Sequence, residues 1–450
     1  MKVVIAGASG FIGHELMTQL PGSIGLSRGY PKSDRFIQVD LFSRTATEKA
    51  LQNCDVAIYL VHSMLPTSHL DQGNFEDFDL LIADNFVRAC AINDVKQIIY
   101  LGGIIPNNAD LSPHLKSRKE VEKILKSTHI PVTILRSGLI IGAKGSSFNI
   151  LKNLANKLPV MICPNWLSNK MEPVSLSQVI ESIKYCLNNP ERFNKTYDIG
   201  MGQQFSYSDI IKLARKVQKK DTFQINAKLP MFLVKFLMKM ISGAPKNLIL
   251  PLVESLRHSM LPREDHRLIV PGFKSETMEF LLKRELTKNR KPHAFSVIPD
   301  NREVRSIQRI NVYMPPEVKV YQIYFHWINH FLPPFLKVMT NGEICVFKFL
   351  GFRLLVLQNL KNESNENHEI LSITGGILSS KNQSLRYGRL EFRKFDDCVV
   401  VAIHEYVPSL PWPIYIYTQA IFHAFVMNKF SHFLTNQKEK EKVIPSLLEK

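Results

Sequence analysis

Lys2-Val-Val-Ile-Ala-Gly7-Ala-Ser9-Gly10-Phe11-Ile12-Gly13-His-Glu-Leu16 is the stretch that decides the fold. Val3 to Ala6 is a short, continuous apolar run, the pattern of a strand buried on both faces, and Ile12, Leu16 and Leu20 recur beyond the glycines at helical spacing. Strand, glycine turn and helix are therefore predicted in that order. Gly7 suits the tight turn, Gly10 removes a Cβ where a diphosphate has to come close, and Gly13 lets the helix lie against the strand. Amides at a helix start have no intrahelical acceptor, so Ser9, Gly10, Phe11, Ile12 and Gly13 are the candidate phosphate-binding positions. The plain alternative is a strand-to-helix turn with no ligand.

The residues that follow keep alternating strand and helix. Ser23 to Leu26 reads as a second strand leading into Ser27-Arg28-Gly29, and a guanidinium at this strand end suits a ribose 2′-phosphate where an acidic side chain would suit a free 2′-hydroxyl. Ser27 and Arg28 thus favour NADP(H), with NAD(H) second; a solvated loop arginine is the alternative. Arg35 to Val39 reads as a third strand ending in Asp40-Leu41, and Asp55 to Val61 as a fourth, which places Val61 and His62 in the crevice at its carboxyl end. A helix over Phe78 to Ala91 and a fifth strand over Gln97 to Leu101 complete a doubly wound, Rossmann-type α/β sheet.

Two words then stand out: Tyr100-Leu-Gly102-Gly103, and Ser112-Pro113-His114-Leu-Lys-Ser117-Arg118. Ser112 as N-cap and Pro113 at the first helical position start a helix, which puts His114 and Arg118 on one face. The spacing Gly-x-x-Gly-x-x-Gly, with Leu-Arg136-Ser-Gly138, Met171-Glu-Pro173-Val174 and Tyr197-Asp-Ile-Gly200 further on, resembles the extended and atypical branches of the short-chain dehydrogenase/reductase superfamily, NmrA-like proteins among them. Tyr59-Leu-Val-His-Ser-Met64 and His114-Leu-Lys-Ser-Arg118 look like the atypical group related to the NADPH-binding accessory subunit of mitochondrial complex I. This resemblance covers about residues 1–290, with a substrate lobe over about 145–290. It implies that Asp40 and Leu41 stand beside the adenine.

The resemblance also implies a departure. Active members carry a Ser after the fifth strand and Tyr-x-x-x-Lys on the next helix; here Gly102 and Gly103 replace the Ser, His114 the Tyr and Arg118 the Lys. One consequence is an oxidoreductase or epimerase-like enzyme on a hydrophobic carbonyl compound, with His114 moving a proton and Arg118 holding the nicotinamide ribose. The other is a module that keeps its NADPH as a structural or redox-sensing element without chemistry.

Beyond Ser208, which opens a basic helix, Met231 to Ile241 carries Lys235 and Lys239 one turn apart on an otherwise apolar helix. That pattern fits a helix at a bilayer surface, or a lobe helix with snorkelling lysines that ends at Ala244-Pro245 and Pro251. Residues 291–304 read as a linker. From Arg305 the pattern becomes strands in series: Arg305–Val312, Ile344–Gln358, Glu369–Ile377, Leu385–Phe395 and Val399–Tyr406, with a helix over Pro315–Val338 broken at Pro333-Pro334 and a closing helix from Pro413 to Leu434. Ile373-Thr-Gly375-Gly376, Gly388-Arg389-Leu-Glu391-Phe-Arg393 and His404-Glu405-Tyr406 resemble the START-like, or SRPBCC, helix-grip group, which implies an α+β domain over 305–440 and a small hydrophobic ligand, lipid or quinone. Arg389, Glu391, Arg393, His404 and Glu405 are expected to form a structural ion-pair ladder.

Bulk properties set the outer bounds. A chain of 450 residues exceeds one usual core. Lys+Arg 57 against Asp+Glu 40 gives a net charge of +17, which suits a phosphate-bearing ligand or an acidic membrane surface. No Lys/Arg block interleaved with aromatics appears, so nucleic acid is not an expected partner. The six cysteines are scattered without metal-ligand spacing, and no apolar run reaches a membrane span. A cytoplasmic protein without a metal is expected, peripheral to the inner membrane if the Lys235/Lys239 helix docks there.

Overall fold

The computed structural model describes residues 1–29, 33–63, 70–107, 110–157, 160–221, 223–227, 229–230, 232–236, 246–288, 303–332, 336–380 and 388–436. In chain order the first elements are β1 (Val3–Ala6), α1 (Phe11–Gln19), β2 (Ile24–Ser27), β3 (Phe36–Gln38), α2 (Arg44–Ala50), β4 (Val56–Tyr59), β5 (Leu70–Gln72), α3 (Phe75–Ile92), β6 (Gln97–Gly103), α4 (Pro113–Leu125) and β7 (Val132–Ser137). The chain continues through β8 (Ile140–Ile141), α5 (Ser146–Lys157), β9 (Val160–Pro164), β10 (Lys170–Met171), β11 (Val174–Ser175), α6 (Leu176–Cys186), β12 (Thr196–Ile199), β13 (Phe205–Ser206), α7 (Tyr207–Val217), β14 (Phe223–Ala227), α8 (Lys246–Ser255) and α9 (Met278–Thr287).

Contacts divide the chain into two units, residues 1–65 with 79–297 and residues 66–78 with 298–450. The expected first domain contains residues 70–78, which group with the second unit instead. Within the first unit, seven parallel strands lie in the order β12-β7-β6-β4-β1-β2-β3, a Rossmann-type doubly wound sheet. The order reverses between β1 and β4, and the crevice outside the carboxyl ends of these strands is where such a sheet binds ligands. β1 and β4 are buried on both faces, as their unbroken apolar sequences require.

Local chemistry shifts several predicted boundaries. The basic helix is capped by Ser206, which accepts from the Asp209 amide in a capping box, so α7 starts at Tyr207. α8 runs through Pro251 where a break was expected. The motif Leu-Arg136-Ser-Gly138 ends β7, and Gly138 separates it from β8 at a point where a Cβ would lie 2.8 Å from the Glu172 carbonyl oxygen. Lys235 is ion-paired with Glu254, whereas Lys239 lies outside the described residues, as does most of the expected 291–304 linker. Among the described residues no helix is long and apolar enough to cross a membrane. Cys54, Cys90, Cys186 and Cys345 are free thiols, and they and Cys398 are buried.

The second unit is an eight-stranded sheet with two long helices. Its elements are β15 (Val304–Ile310), α10 (Val320–Phe331), β16 (Leu336–Thr340), β17 (Ile344–Phe349), β18 (Phe352–Asn359), β19 (His368–Gly375), β20 (Gly388–Lys394), β21 (Val399–Tyr406), α11 (Trp412–Tyr417) and α12 (Gln419–Thr435). The order is β16-β17-β18-β19-β20-β21-β15-β5, antiparallel throughout except that β5 joins β15 in parallel. Phe392, Leu371, Ile373 and Val401 on one sheet face pack with Tyr324 and Trp327 of α10 and Phe430 of α12. The Tyr324 and Phe430 rings meet edge-on at 4.9 Å.

Three features of this unit depart from the predicted elements. The run Ile344–Gln358 is a hairpin, turning at Leu350 and Gly351; Leu336 to Val338 is strand; and the closing helix divides at Thr418. On the other sheet face Glu391 accepts from Arg393 at 2.7 Å and lies 2.9 Å from His368 Nε2, and these charges hold its carboxyl well below the usual range against the opposing effect of burial. A register shift at the β15–β21 pairing coincides with a left-handed Glu405 (φ +54°), which approaches Arg389 at 3.8 Å.

Candidate cofactor site

The glycine turn is built as its spacing requires. Gly7 has φ +84°, and a Cβ at Gly13 would lie 2.3 Å from the Gly7 carbonyl oxygen and 2.6 Å from Ala8 Cα, so only glycine lets α1 start this close to β1. Gly10 is the N-cap and offers no side-chain cap, which leaves the first-turn amides of Phe11, Ile12 and Gly13 without an intrahelical acceptor. Phe11 lies over Gly142 and Gly145: a Cβ on Gly142 would meet the ring at 2.3 Å. Ser9 stands in the turn itself, exposed.

The other predicted positions line up along the same edge of the sheet. Asp40 follows β3, Ser27 and Arg28 end β2, Gly7 ends β1, Val61 and His62 follow β4, and Gly102 lies near the end of β6. Those five neighbouring strand ends span about 19 Å at roughly 4.8 Å per strand, a length that fits an extended dinucleotide. Arg28 is exposed, and its carbonyl accepts from Gln38 Nε2 at 3.2 Å. Asp40 is half-buried and accepts from the Phe42 amide at 3.1 Å, while the Leu41 carbonyl is held by Asn85 Nδ2 at 2.9 Å. Asp40 thus also shapes the turn after β3, a structural task beside the adenine role that the resemblance implied.

At the carboxyl end of β4 sits a residue that carried no motif, Asp79 on α3. It is fully buried and accepts from the Ser63 amide (2.7 Å), Ser117 Oγ (2.9 Å) and Arg118 NH2 (2.6 Å). Burial pushes its carboxyl up, but Arg118 and His62 outweigh this and hold it well below the ordinary carboxylate range. Arg118 also reaches His62 Nδ1 at 2.9 Å and the Val61 carbonyl at 3.4 Å, so one guanidinium ties the residues after β4 to α3 and α4. Its Nε has no hydrogen-bond partner among the described residues. Tyr59 and Tyr100 lie beneath, with buried hydroxyls.

Ser112 caps α4, accepting from the Leu115 amide, and Pro113 occupies the first turn as predicted. His114 and Arg118 share a face, with the His62 ring between them: the two imidazoles are 5.1 Å apart, and His114 Nδ1 lies 3.1 Å from Ser255 Oγ. Burial, with His62 and Arg118 nearby, drives His114 well below its usual pKa, so its imidazole is neutral at pH 7. A Cβ on Gly102 would meet the Tyr100 ring at 2.8 Å, so glycine is fixed there by packing as well.

The later motif words hold the lobe in place. Glu172 is buried and takes a bidentate pair from Arg267 at 2.7 and 3.0 Å; Asp198 does the same for Arg263 at 2.9 and 3.1 Å. Gly200 is required because a Cβ would reach Glu172 Oε1 at 2.4 Å. The segment fixed this way borders a cavity of about 350 Å³ lined by Asn107, Asn169, Arg257, His258 and Arg263, with Ile105 and Leu261 as apolar walls. That lining is more polar than the hydrophobic ligand expected from sequence.

Residues 3–200 match the NAD dependent epimerase/dehydratase family. The epimerase/dehydratase match runs from β1 to the end of β12 and so contains the glycine turn, His62, Asp79, His114 and Arg118. The auxiliary protein GraX of Staphylococcus aureus is 32% identical over 111 residues, 23% of this chain and 36% of its own length, so the match spans about a third of that relative. Two solved structures share the fold: a nucleoside-diphosphate-sugar epimerase from Staphylococcus aureus (14% identity, TM-score 0.50) and Citrobacter sp. triphenylmethane reductase, also solved with NADP(H) (16%, TM-score 0.51). The epimerase and the NADP(H)-bound reductase are covered over 100% of their length by 63% of this chain, and the other reductase structure over 99% by 64%.

Proposed function

We propose that the N-terminal unit binds a nicotinamide adenine dinucleotide, NADP(H) before NAD(H), and works as an oxidoreductase on a carbonyl compound. The observation that carries this reading is the turn at Gly7, Gly10 and Gly13, where a Cβ at each position would meet backbone at 3.1 Å or less and the helix start has no side-chain cap. The family match over residues 3–200 supports the same ligand class. The amides of Phe11 to Gly13 would hold the pyrophosphate, Ser27 and Arg28 the adenosine ribose, Asp40 and Leu41 the adenine edge, and Val61, His62 and Gly102 the nicotinamide half. The bound nucleotide supplies a hydride. His114 stays neutral and donates a hydrogen bond to a substrate oxygen, as a depressed imidazole does, while Arg118 positions His62. The mixed lining by Arg257, His258, Ile105 and Leu261 favours a substrate with both a polar oxygen and an apolar body.

Thermal shift with NADPH and NADH tests the binding: saturating ligand raises the melting temperature as mass action requires, and no shift with either removes the reading. In a carbonyl-substrate screen, His114→Phe is expected to abolish turnover and leave the NADPH shift intact.

A second reading rests on the closed Arg118–Asp79 pair. An always-charged guanidinium already neutralised by a carboxylate has no proton to trade, which favours a module that keeps NADPH as a structural or redox-sensing element. NADPH binding without turnover in wild type and His114→Phe alike supports it.

A further inference from the structure

One end of the second unit carries large apolar side chains in water. At the tip of the β17–β18 hairpin Leu350 is 68% and Phe352 65% exposed; Ile377, Tyr417 (76%), Ile421 and Phe422 are exposed as well. Backbone pairing places these groups at the same end. The Ile377 amide donates to the Arg353 carbonyl and the Leu378 amide to the Leu354 carbonyl, both at 3.0 Å, and the Ser409 amide donates to the Leu378 carbonyl at 3.1 Å, from which the chain enters α11 and then α12. Phe331 at the end of α10 meets Phe425 of α12 at 6.1 Å, and Leu336, a few residues on, pairs with Phe349.

The tip itself is a poor solution for folding alone. Leu350 (φ +48°) and Gly351 (φ +87°) both adopt left-handed backbone, the two-residue hairpin turn that favours Asn-Gly or Asp-Gly. A leucine there accepts backbone strain and exposes its side chain, so neither the turn nor the core accounts for it. The charged side chains on the described segments that form this end have one sign. Lys348 stands directly across from Arg353 beneath the tip, and Lys429 lies 5.7 Å above the Phe425 ring. Residues 344–362, 370–390 and 406–438 contain no Asp or Glu.

We propose that this acid-free apolar end docks on an anionic lipid bilayer, with Leu350 and Phe352 entering the acyl boundary and Lys348, Arg353 and Lys429 meeting the headgroups. Apolar burial and cation attraction add at such a surface, and wide single apolar patches on a monomer mark interaction sites. A second copy of the chain fits less well. A two-fold contact would bury these cations against other cations of the same patch, and those segments carry no carboxylate to compensate. The inference is independent of the dinucleotide reading and sits on different residues from the expected Lys235/Lys239 helix.

The full chain is to be sedimented with vesicles of phosphatidylcholine alone and of phosphatidylcholine with phosphatidylglycerol. Binding is expected only with the anionic vesicles and weaker as salt is raised. Leu350→Asp with Phe352→Asp should lower it by about tenfold or more; Lys348→Gln with Arg353→Gln should lower it about fivefold or more. Unchanged melting and an unchanged circular dichroism spectrum confirm that each variant is folded. If the tip pair fails that check, Tyr417→Asn with Ile421→Asn serves in its place. The proposal is overturned by binding that ignores phosphatidylglycerol, by variants that sediment like wild type, or by light scattering that shows a dimer dispersed by the same substitutions.

Discussion

Arg118 donates to Asp79 across 2.6 Å with both side chains buried. A guanidinium held this way acts on position. It fixes His62 and the Val61 carbonyl and keeps the end of β4 against α3 and α4.

Asp79→Ala should therefore destabilise the N-terminal unit by about 3–5 kcal/mol, because it leaves Arg118 buried without its counter-charge. Urea unfolding measures the loss. A change below about 1 kcal/mol would show that the pair is dispensable.

The glycines separate fold from binding. Gly13→Ala drives a Cβ into backbone on two sides and should cost about 1–3 kcal/mol or more. Gly10→Ala meets only the Gly7 carbonyl, at 3.1 Å, and should cost about 1 kcal/mol while sharply weakening NADPH binding in calorimetric titration. Normal affinity in folded Gly10→Ala protein would contradict close approach at this turn.

Arg28→Ala is expected to weaken NADPH by about tenfold or more and NADH far less, since a charge-assisted contact to a phosphate contributes about 1.5–3 kcal/mol. Equal losses for the two nucleotides would count against a 2′-phosphate contact.

The pH dependence has a definite sign. His62 and His114 are pushed below the ordinary imidazole value by burial and by Arg118, and His114 by His62 as well, so below about pH 6.5 the unfolded chain binds more protons than the folded one. Stability rises with pH through this range and is lost as pH falls from about 6.5 toward the folded values. The depressed Asp79 adds a second loss, beginning below about pH 4. Urea midpoints at several pH values should fall on the acid side, and His114→Asn should flatten the decline. An unaltered slope in that variant would show that His114 titrates normally.

How much of this was legible in the sequence depended on how local the signal was. The β1 turn and the start of α4 were readable because Gly7, Gly10, Gly13, Ser112 and Pro113 each satisfy a requirement set within a few residues. Asp79 was not. It lies among Phe78, Leu80 and Leu81 on a helix with other acids, and its partners Ser63, Ser117 and Arg118 come from other parts of the chain. The hairpin at Leu350 was hidden for a different reason: a leucine in a left-handed turn carries no turn signal. β5 is three residues long, too short for periodicity, and its pairing partner lies more than two hundred residues later.

That last pairing bears on how the protein is made. Leu70 to Gln72 leave the ribosome long before Val304 to Ser306 exist, so the second sheet's outermost strand waits for most of synthesis before it has a neighbour, a connection of high sequence separation that slows folding. Arg309, which grips Asp77 at 2.6 Å, arrives just as late. A cut near residue 297 would therefore yield no clean halves: one fragment would carry an orphaned strand and the other a sheet short of its edge.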